Sequence, residues 1–412
     1  MDKIFIHQTV SPRIRAISSK SEAHRALICA ALSDGECEII CTDTNADIDA
    51  TVACLNSLGA DIKRTENGFS VKPINEVKQG GTLECNESGS TLRFLLPLAA
   101  ALGANCAFNM RGRLAARPLS PLYELLKSNG ISLSPQGSNP LEIKGKLTSG
   151  CYSVAANVSS QFVSGLLFAL SVTEGESRLT LEGKIESAPY ILMTLDALKL
   201  FGADVDFDGD RCFYIKGKSR LSSPKSVTIG GDWSNAAFFL VSGAIGENKV
   251  TLLSLDESSR QGDKEILDIL SGMGAEIEKT VDGITVFPSK LKGIEIDAKN
   301  IPDLVPILAV AAAVAEGETK IFGAERLRLK ESDRIESVCA LLSSIGATVR
   351  ETDDGMIIRG KSRLSGGEVD SYNDHRIAMS AAIASLVCEE AVKIKNFEAI
   401  NKSYPTFADN FM

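Results

Sequence analysis

Three histidines and one tryptophan occur in 412 residues, and the ten cysteines include no CxxC pair. That scarcity argues against a structural zinc site, which needs four closely spaced His or Cys ligands. The cysteines are scattered, and Cys29, Cys106 and Cys388 sit in or beside apolar segments. They read as buried, reduced thiols of a cytoplasmic protein, not as a disulfide framework. A basic excess is missing too: 44 Lys and Arg stand against 53 Asp and Glu, a net charge of −9. General nucleic-acid binding needs a basic surface to displace counterions, so it is excluded as the main role. No apolar run reaches the roughly 20 residues of a membrane span. Asp2, with no apolar stretch behind it, opens no signal peptide. What remains is an ordinary soluble composition, 44% hydrophobic and 24% charged, with a mean hydropathy of +0.05.

The chain is rich in repetition. Leu55-Asn56-Ser57-Leu58-Gly59-Ala60 has near-copies ending at Gly130, Gly202, Gly274 and Gly346, spaced by 71, 72, 72 and 72 residues. An even period too long for a solenoid marks one αβ unit copied along the chain. In each copy an amphipathic helix stops at a glycine free to take positive φ, and an alternating strand follows, as in Ala203-Asp204-Val205-Asp206-Phe207. A second series, out of phase with the first, consists of six helices of small and apolar residues. They are expected over 26–32, 92–102, 162–170, 236–245, 304–315 and 377–387. Helices apolar on nearly every side must be buried on nearly every side, inside a layer of strands and amphipathic helices.

One further period after Gly346 runs past Met412, so the sixth unit is expected to be completed by an N-terminal strand, Lys3 to Thr9. Six units suit two domains of three. The Ser/Pro/Gly-rich stretch 218–231 places the division, giving residues 18–229 as one domain and 1–17 plus 230–412 as the other. Two crossings, near Ile17 and Ile229, make a hinge with a cleft, where the active site is expected.

Helix starts carry the informative polar residues. They include Ser18-Ser19-Lys20-Ser21-Glu22-Ala23-His24-Arg25, Glu87-Ser88-Gly89-Ser90-Thr91-Leu92-Arg93, Ser159-Ser160-Gln161, Pro302-Asp303 and Asn373-Asp374-His375-Arg376. Outer helices open similarly at Arg117-Pro118, Ser187-Ala188-Pro189-Tyr190 and Lys330-Glu331-Ser332-Asp333-Arg334. The first N–H groups of a helix lack internal partners and carry its positive dipole end, so several such ends on one side make an anion site. Lys20, Arg25, Arg117, Arg334, Arg376 and Lys402 add charge enough for more than one phosphate or carboxylate. Ser159 and Asp303 read first as N-caps, the commonest task of such residues. Glu22 and Asp333 read as favourable first-turn carboxylates, and Glu331 admits the same reading. His24 and His375 admit packing or capping as readily as chemistry. Lys20, Arg25, Arg93, Arg334 and Arg376 oppose the helix dipole and so call for a function.

These segments, with Val158 to Phe162, Ile301-Pro302-Asp303 and Tyr372 to Met379, resemble those of the enolpyruvyl transferases, in order, from about Lys20 to Lys402. The resemblance is to the branch acting on shikimate 3-phosphate. It implies a two-domain inside-out α/β barrel of six βαβαββ units, three per domain, with the helices inside. It also implies joining of phosphoenolpyruvate to the 5-hydroxyl of shikimate 3-phosphate with release of phosphate, no metal or organic cofactor, and a cytoplasmic monomer with only small-molecule partners. By motif, Lys20, Ser21, Arg25, Ser159, Ser160, Ser187, Tyr190, Asp303 and Lys330 would hold shikimate 3-phosphate. Lys20, Gly89, Arg117, Gln161, Arg334, Arg376 and Lys402 would hold phosphoenolpyruvate. Asp303 and Lys20 would deprotonate the hydroxyl, and Glu331 would protonate the methylene carbon. The domains would close on the two substrates.

Glu87 and Arg326 stand where this family usually has Asn, and Ile17-Ser18-Ser19 replaces its usual Pro-Gly-Ser. Arg93 or Arg326 could neutralise the added carboxylate. The rival branch, acting on UDP-N-acetylglucosamine, carries a cysteine in the loop before its Arg-Pro. Residues 110–117 contain none. A non-catalytic phosphosugar sensor on the same scaffold is disfavoured because Lys20, Asp303 and Glu331 are all present.

Overall fold

The computed structural model describes residues 1–218 and 220–412, which divide into two compact units, Ser18–Ile229 and Met1–Ile17 with Gly230–Met412. The first unit holds helices α1 (Lys20–Ala31), α2 (Ala46–Leu58), α3 (Gly89–Leu102), α4 (Leu122–Ser128), α5 (Ser160–Ser171) and α6 (Ala188–Leu200). The second holds α7 (Trp233–Ile245), α8 (Ile266–Gly272), α9 (Val305–Ala313), α10 (Arg334–Ser344) and α11 (His375–Ala384). The odd-numbered helices are the apolar series, and every residue of α9 and α11 is buried. The even-numbered ones bury a stripe; in α2 it runs through Ile48, Thr51, Cys54, Leu55 and Leu58, the spacing of one helix face.

Each inner helix of the first unit faces sheets of one recurring pattern. Strands Ser226–Thr228, Cys37–Ile40, Gly68–Lys72 and Asp61–Thr65 lie in that order, the first pair parallel and the others antiparallel. The same pattern recurs in two further four-stranded sheets, one begun by Thr82–Asn86 and Cys106–Met110 and one by Cys151–Ala155 and Gly175–Glu182. The second unit has two four-stranded sheets and one three-stranded sheet. In the last, Lys3–Phe5 runs antiparallel to Val392–Lys395. The N-terminal strand is shorter than the sequence suggested because His7 takes φ 46°, which ends it, and a second short strand, Arg13–Arg15, pairs parallel with Val250–Leu253. Each unit has its own apolar core. The α/β architecture with helices inside sheets is therefore the one the repeat predicts.

Helix boundaries differ from expectation in an instructive way. The apolar stretches placed starts near Ala26, Leu92, Phe162, Ala236 and Ile377, yet the helices begin two to six residues earlier. Ser19, Ser88, Ser159, Asp232 and Asp374 accept backbone N–H groups as N-caps, so a polar turn precedes each apolar face. Arg25 and Arg93 consequently lie in second turns, past the steepest part of the dipole. Arg117 does not open a helix at all. It is extended, after a 3₁₀ turn at Leu114–Ala116, and α4 begins only after Pro121. Asp303 does not cap α9, which starts at Val305 without a side-chain cap.

All ten cysteines are free thiols, seven of them buried. Burial pushes the Cys106 thiol up to about 12 and Cys41 up to about 11, so neither is a ready nucleophile. Among the described residues no helix is long and apolar enough to cross a membrane.

Candidate active site

Two sets of the expected residues form clusters, one in each unit. In the 18–229 unit, α3 opens beside Arg117. Gly89 is the first residue of α3, and a Cβ there would stand 2.9 Å from Arg117 Nη1 and 3.0 Å from Arg93 Nη1. Two guanidiniums thus converge beside a helix N-terminus, a place for an anion. Arg93 is fixed by donating from Nη1 to Gln161 Oε1 (2.9 Å) and from Nη2 to Pro118 O (3.3 Å), while Gln161 Nε2 donates to Ser90 Oγ (2.9 Å). α5 comes close enough for this because Gly165 has no side chain; a Cβ there would lie 2.3 Å from Arg93 O. Lys20, first in α1, pairs with Asp47 at 3.0 Å.

Arg25 is buried and, among the described residues, donates to neutral oxygens: Nε to Thr194 Oγ1 (2.8 Å), Nη1 to Ser21 O (2.7 Å) and Nη2 to Tyr190 O (2.9 Å). Thr194 is steadied by donating to Ser164 Oγ at 2.7 Å. Burial pulls Arg25 down to about 10. Its guanidinium also faces the Phe94 ring at 5.1 Å. Ser159 caps α5 through Gln161 N (3.2 Å), Ser160 begins that helix, and Ser187 precedes α6 with φ 53°, an unusual conformation for a residue with a side chain. Glu87 packs its carboxylate against Gly112, where a Cβ would be 2.6 Å from Oε2.

In the second unit, Arg334 is the hub. Nη1 reaches Asp303 Oδ1, Nη2 reaches Glu331 Oε2 and Nε reaches Asp374 Oδ2, each at 2.7 Å. Arg376 Nη2 lies 3.3 Å from Asp303 Oδ2, and Lys330 Nζ lies 3.6 Å from Asp303 Oδ1. Burial alone would raise the Asp303 carboxyl, but Arg376, Lys330 and Arg334 outweigh it and hold it well below the usual carboxylate range. Burial pulls Lys330 down to about 8, with Asp303 opposing. Arg334 is held charged above its ordinary range, because Asp374, Glu331 and Asp303 outweigh its burial.

Asp374 is the residue whose role the sequence did not disclose. It is completely buried, caps α11 through Arg376 N (2.9 Å), accepts from Ser332 Oγ (3.1 Å) and orients Arg334. Tyr372 and Asn373, at φ 52° and 55°, turn the chain to place it. Its signal was present as an acid directly before a basic helix start. Asp47, the partner of Lys20, offered no comparable signal. Lys402 stands outside the hub and donates to Asn373 O at 2.6 Å. Arg326 donates to Lys299 O at 2.9 Å, and His375 is buried with Nδ1 3.9 Å from Asp374.

A family model described as EPSP synthase (3-phosphoshikimate 1-carboxyvinyltransferase) matches residues 5–411. A 3-phosphoshikimate 1-carboxyvinyltransferase of Clostridium novyi is 45% identical over 404 residues, covering 95% of this chain and 92% of that protein. One from Clostridium kluyveri is 45% identical over 401 residues, covering 97% and 94%. The solved EPSP synthase of Acinetobacter baumannii superposes with a TM-score of 0.81 at 27% identity, covering 99% of this chain and 97% of that one. With a match over nearly its whole length and relatives this similar, the chain belongs to the EPSP synthase (3-phosphoshikimate 1-carboxyvinyltransferase) family.

Proposed function

We propose that this chain transfers the carboxyvinyl group of phosphoenolpyruvate to the 5-hydroxyl of shikimate 3-phosphate, releasing phosphate, with the residues above in defined roles. The observation that carries the reading is Asp303, a carboxylate held ionised between Arg334, Arg376 and Lys330 and next to Glu331. Asp303 supplies a base, and Glu331, once it carries a proton, an acid, both among cations, as an addition and elimination between anionic substrates requires.

Ser21 and Arg25 take the shikimate carboxylate, Ser159, Ser160 and Ser187 its 3-phosphate, and Tyr190 covers it, with Lys330 assisting. Lys20, the Gly89 N–H, Arg117, Gln161 and Lys402 surround the phosphate of phosphoenolpyruvate. Arg334 and Arg376 take its carboxylate. Glu331 gives a proton to the methylene carbon, and the adjacent carbon acquires cationic character. The 5-oxygen bonds to that carbon as Asp303, aided by Lys20, takes the hydroxyl proton. Glu331 then removes a methyl proton, the double bond re-forms, and the carbon–oxygen bond to phosphate breaks. Each charge-assisted bond to an anion contributes roughly 1.5–3 kcal/mol. The reading requires no metal or organic cofactor, and it places the protein in the cytoplasm as a monomer acting on small molecules.

Phosphate release from phosphoenolpyruvate with shikimate 3-phosphate, beside UDP-N-acetylglucosamine as competing acceptor, tests it. Release with the first acceptor alone is expected. Release only with the second reassigns the chain to the other branch, and silence with both, given intact binding, leaves a phosphosugar sensor. Compaction on adding both substrates, followed by small-angle scattering, tests the expected closure separately.

A further inference from the structure

Residues of the proposed phosphate-binding set sit at helix openings in the 18–229 unit, Lys20 first in α1 and Gly89 first in α3, with Asp47, the partner of Lys20, in the first turn of α2. Beneath them a line of buried side chains crosses all three helices. His24 Nδ1 meets Thr51 Oγ1 at 2.7 Å, Thr51 Oγ1 meets Thr91 Oγ1 at 2.7 Å, and Thr91 Oγ1 donates to Ser88 Oγ at 2.7 Å. Ser88 Oγ also caps α3 by accepting from Thr91 N at 3.3 Å, and Thr91 Oγ1 lies 3.4 Å from the carbonyl of Asp47. None of the four side-chain residues is more than 1% exposed.

The register is regular. His24 follows Lys20 by four residues, and Thr51 follows Asp47 by four, so each lies one turn beneath the residue it supports. Thr91 lies in the first turn that Gly89 begins. The donors admit one consistent direction. With the Thr91 hydroxyl on Ser88, the Thr51 hydroxyl serves Thr91, and imidazole Nδ1–H serves Thr51. That leaves Nε2 as the lone-pair nitrogen, and Nε2 is the buried ring atom without a partner among the described residues; the ring packs edge-on to Phe94. Burial, with the charges of Lys20 and Arg25 adding to it, keeps this imidazole neutral.

A chain of hydrogen bonds in an apolar interior is worth little if incomplete, so it favours one relative placement of the elements it joins. We propose that His24, Thr51 and Thr91 are positioning residues, tying α1, α2 and α3 together one turn below their openings so that the Lys20 ammonium and the Gly89 N–H keep the separation that phosphoenolpyruvate phosphate needs. The inference rests on the assignment of Lys20 and Gly89 to that phosphate.

The test is steady-state kinetics of Thr51→Val, nearly isosteric and unable to hydrogen-bond, beside Thr51→Ser. Thr51→Val is expected to raise KM for phosphoenolpyruvate about 3–10-fold, leaving kcat and KM for shikimate 3-phosphate within about twofold. Thr51→Ser is expected to restore the wild-type value. A lowered melting temperature with both KM values unchanged, or an equal rise in both, overturns the inference and makes the line a device of folding alone. An inactive wild-type protein instead overturns the function on which the inference rests. If Thr51→Val does not fold, the pair His24→Asn and His24→Leu reads the same quantity. Asn keeps a donor and should retain KM for phosphoenolpyruvate, Leu should raise it, and identical behaviour of the two sinks the idea.

Discussion

Arg25 and Arg334 are both buried guanidiniums, and their surroundings are opposite. Arg25, in the 18–229 unit, is held by a hydroxyl and two carbonyls, and no carboxylate pairs with it among the described residues. Arg334, in the other unit, is held by Asp303, Glu331 and Asp374. A buried charge with neutral partners is costly until an anion arrives, which supports the proposed role of Arg25 toward a ligand that brings its own charge. The Arg334 site is already neutralised by the protein's own carboxylates. If a substrate carboxylate binds Arg334 as proposed, it must replace Asp303 and Glu331 there, and its binding free energy is the difference between two similar sets of bonds. In the proposed mechanism that exchange would release Asp303 from Arg334 and Arg376, leaving Lys330 beside it, at the stage where a base is called for.

The largest test of this contrast is Asp303→Asn. Loss of the base should lower kcat by about 10²–10⁴-fold. Phosphoenolpyruvate binding, measured at equilibrium with shikimate 3-phosphate present, should tighten because Asn competes poorly for Arg334 and Arg376. Weaker binding would break the comparison. Next in size, Arg25→Gln should raise KM for shikimate 3-phosphate by about 10–100-fold, since no protein carboxylate there becomes unbalanced. An equal loss of phosphoenolpyruvate affinity would show that Arg25 serves both ligands.

A smaller effect comes from Gly89→Ala. The new methyl would crowd Arg117 Nη1 at 2.9 Å. KM for phosphoenolpyruvate should rise several-fold, to the order of 3–10, while the other substrate is unaffected; initial-rate kinetics decide it.

The smallest effect is one of stability. Asp263 is completely buried, accepts from Ser234 Oγ, and is pushed up to about 7 by burial and then by Asp303. The folded state therefore holds a proton that the unfolded chain has already released, and stability falls through this group as pH rises from the unfolded carboxylate range to about 7. Asp263→Asn removes that cost. Its melting temperature relative to wild type should be higher at pH 8 than at pH 5 by about 2–4 °C. A pH-independent difference would mean that Asp263 is ionised in the fold throughout.

The layering was legible because it is written in composition. A helix such as Val305–Ala313, with no polar residue on any side, has nowhere to go but inside. The family motifs identified the cations, but pairings such as Lys20 with Asp47 or Arg334 with Asp374 join residues 27 and 40 positions apart and depend on how helices pack. Helix starts were misplaced because hydrophobicity marks the buried face and not the capped polar turn before it. Arg117-Pro118 is expected to open an outer helix, yet a second proline, Pro121, lies closer to the helix that follows and suits its start better. Asp303 was read as a cap because Asp commonly caps; three cations claim it instead.

The zipping of both chain ends into one unit sets an order of assembly. Lys3–Phe5 pairs with Val392–Lys395, and Thr9 and Met412 bond each other through their backbones. At about 5–20 residues per second, a ribosome leaves Lys3–Phe5 without its partner strand for roughly 20–80 s. Residues 18–229 meanwhile form a contiguous unit with a core of its own. During synthesis Lys3–Phe5 must wait, unpaired, until Val392–Lys395 emerges, and it is in that interval that a chaperone would have its substrate.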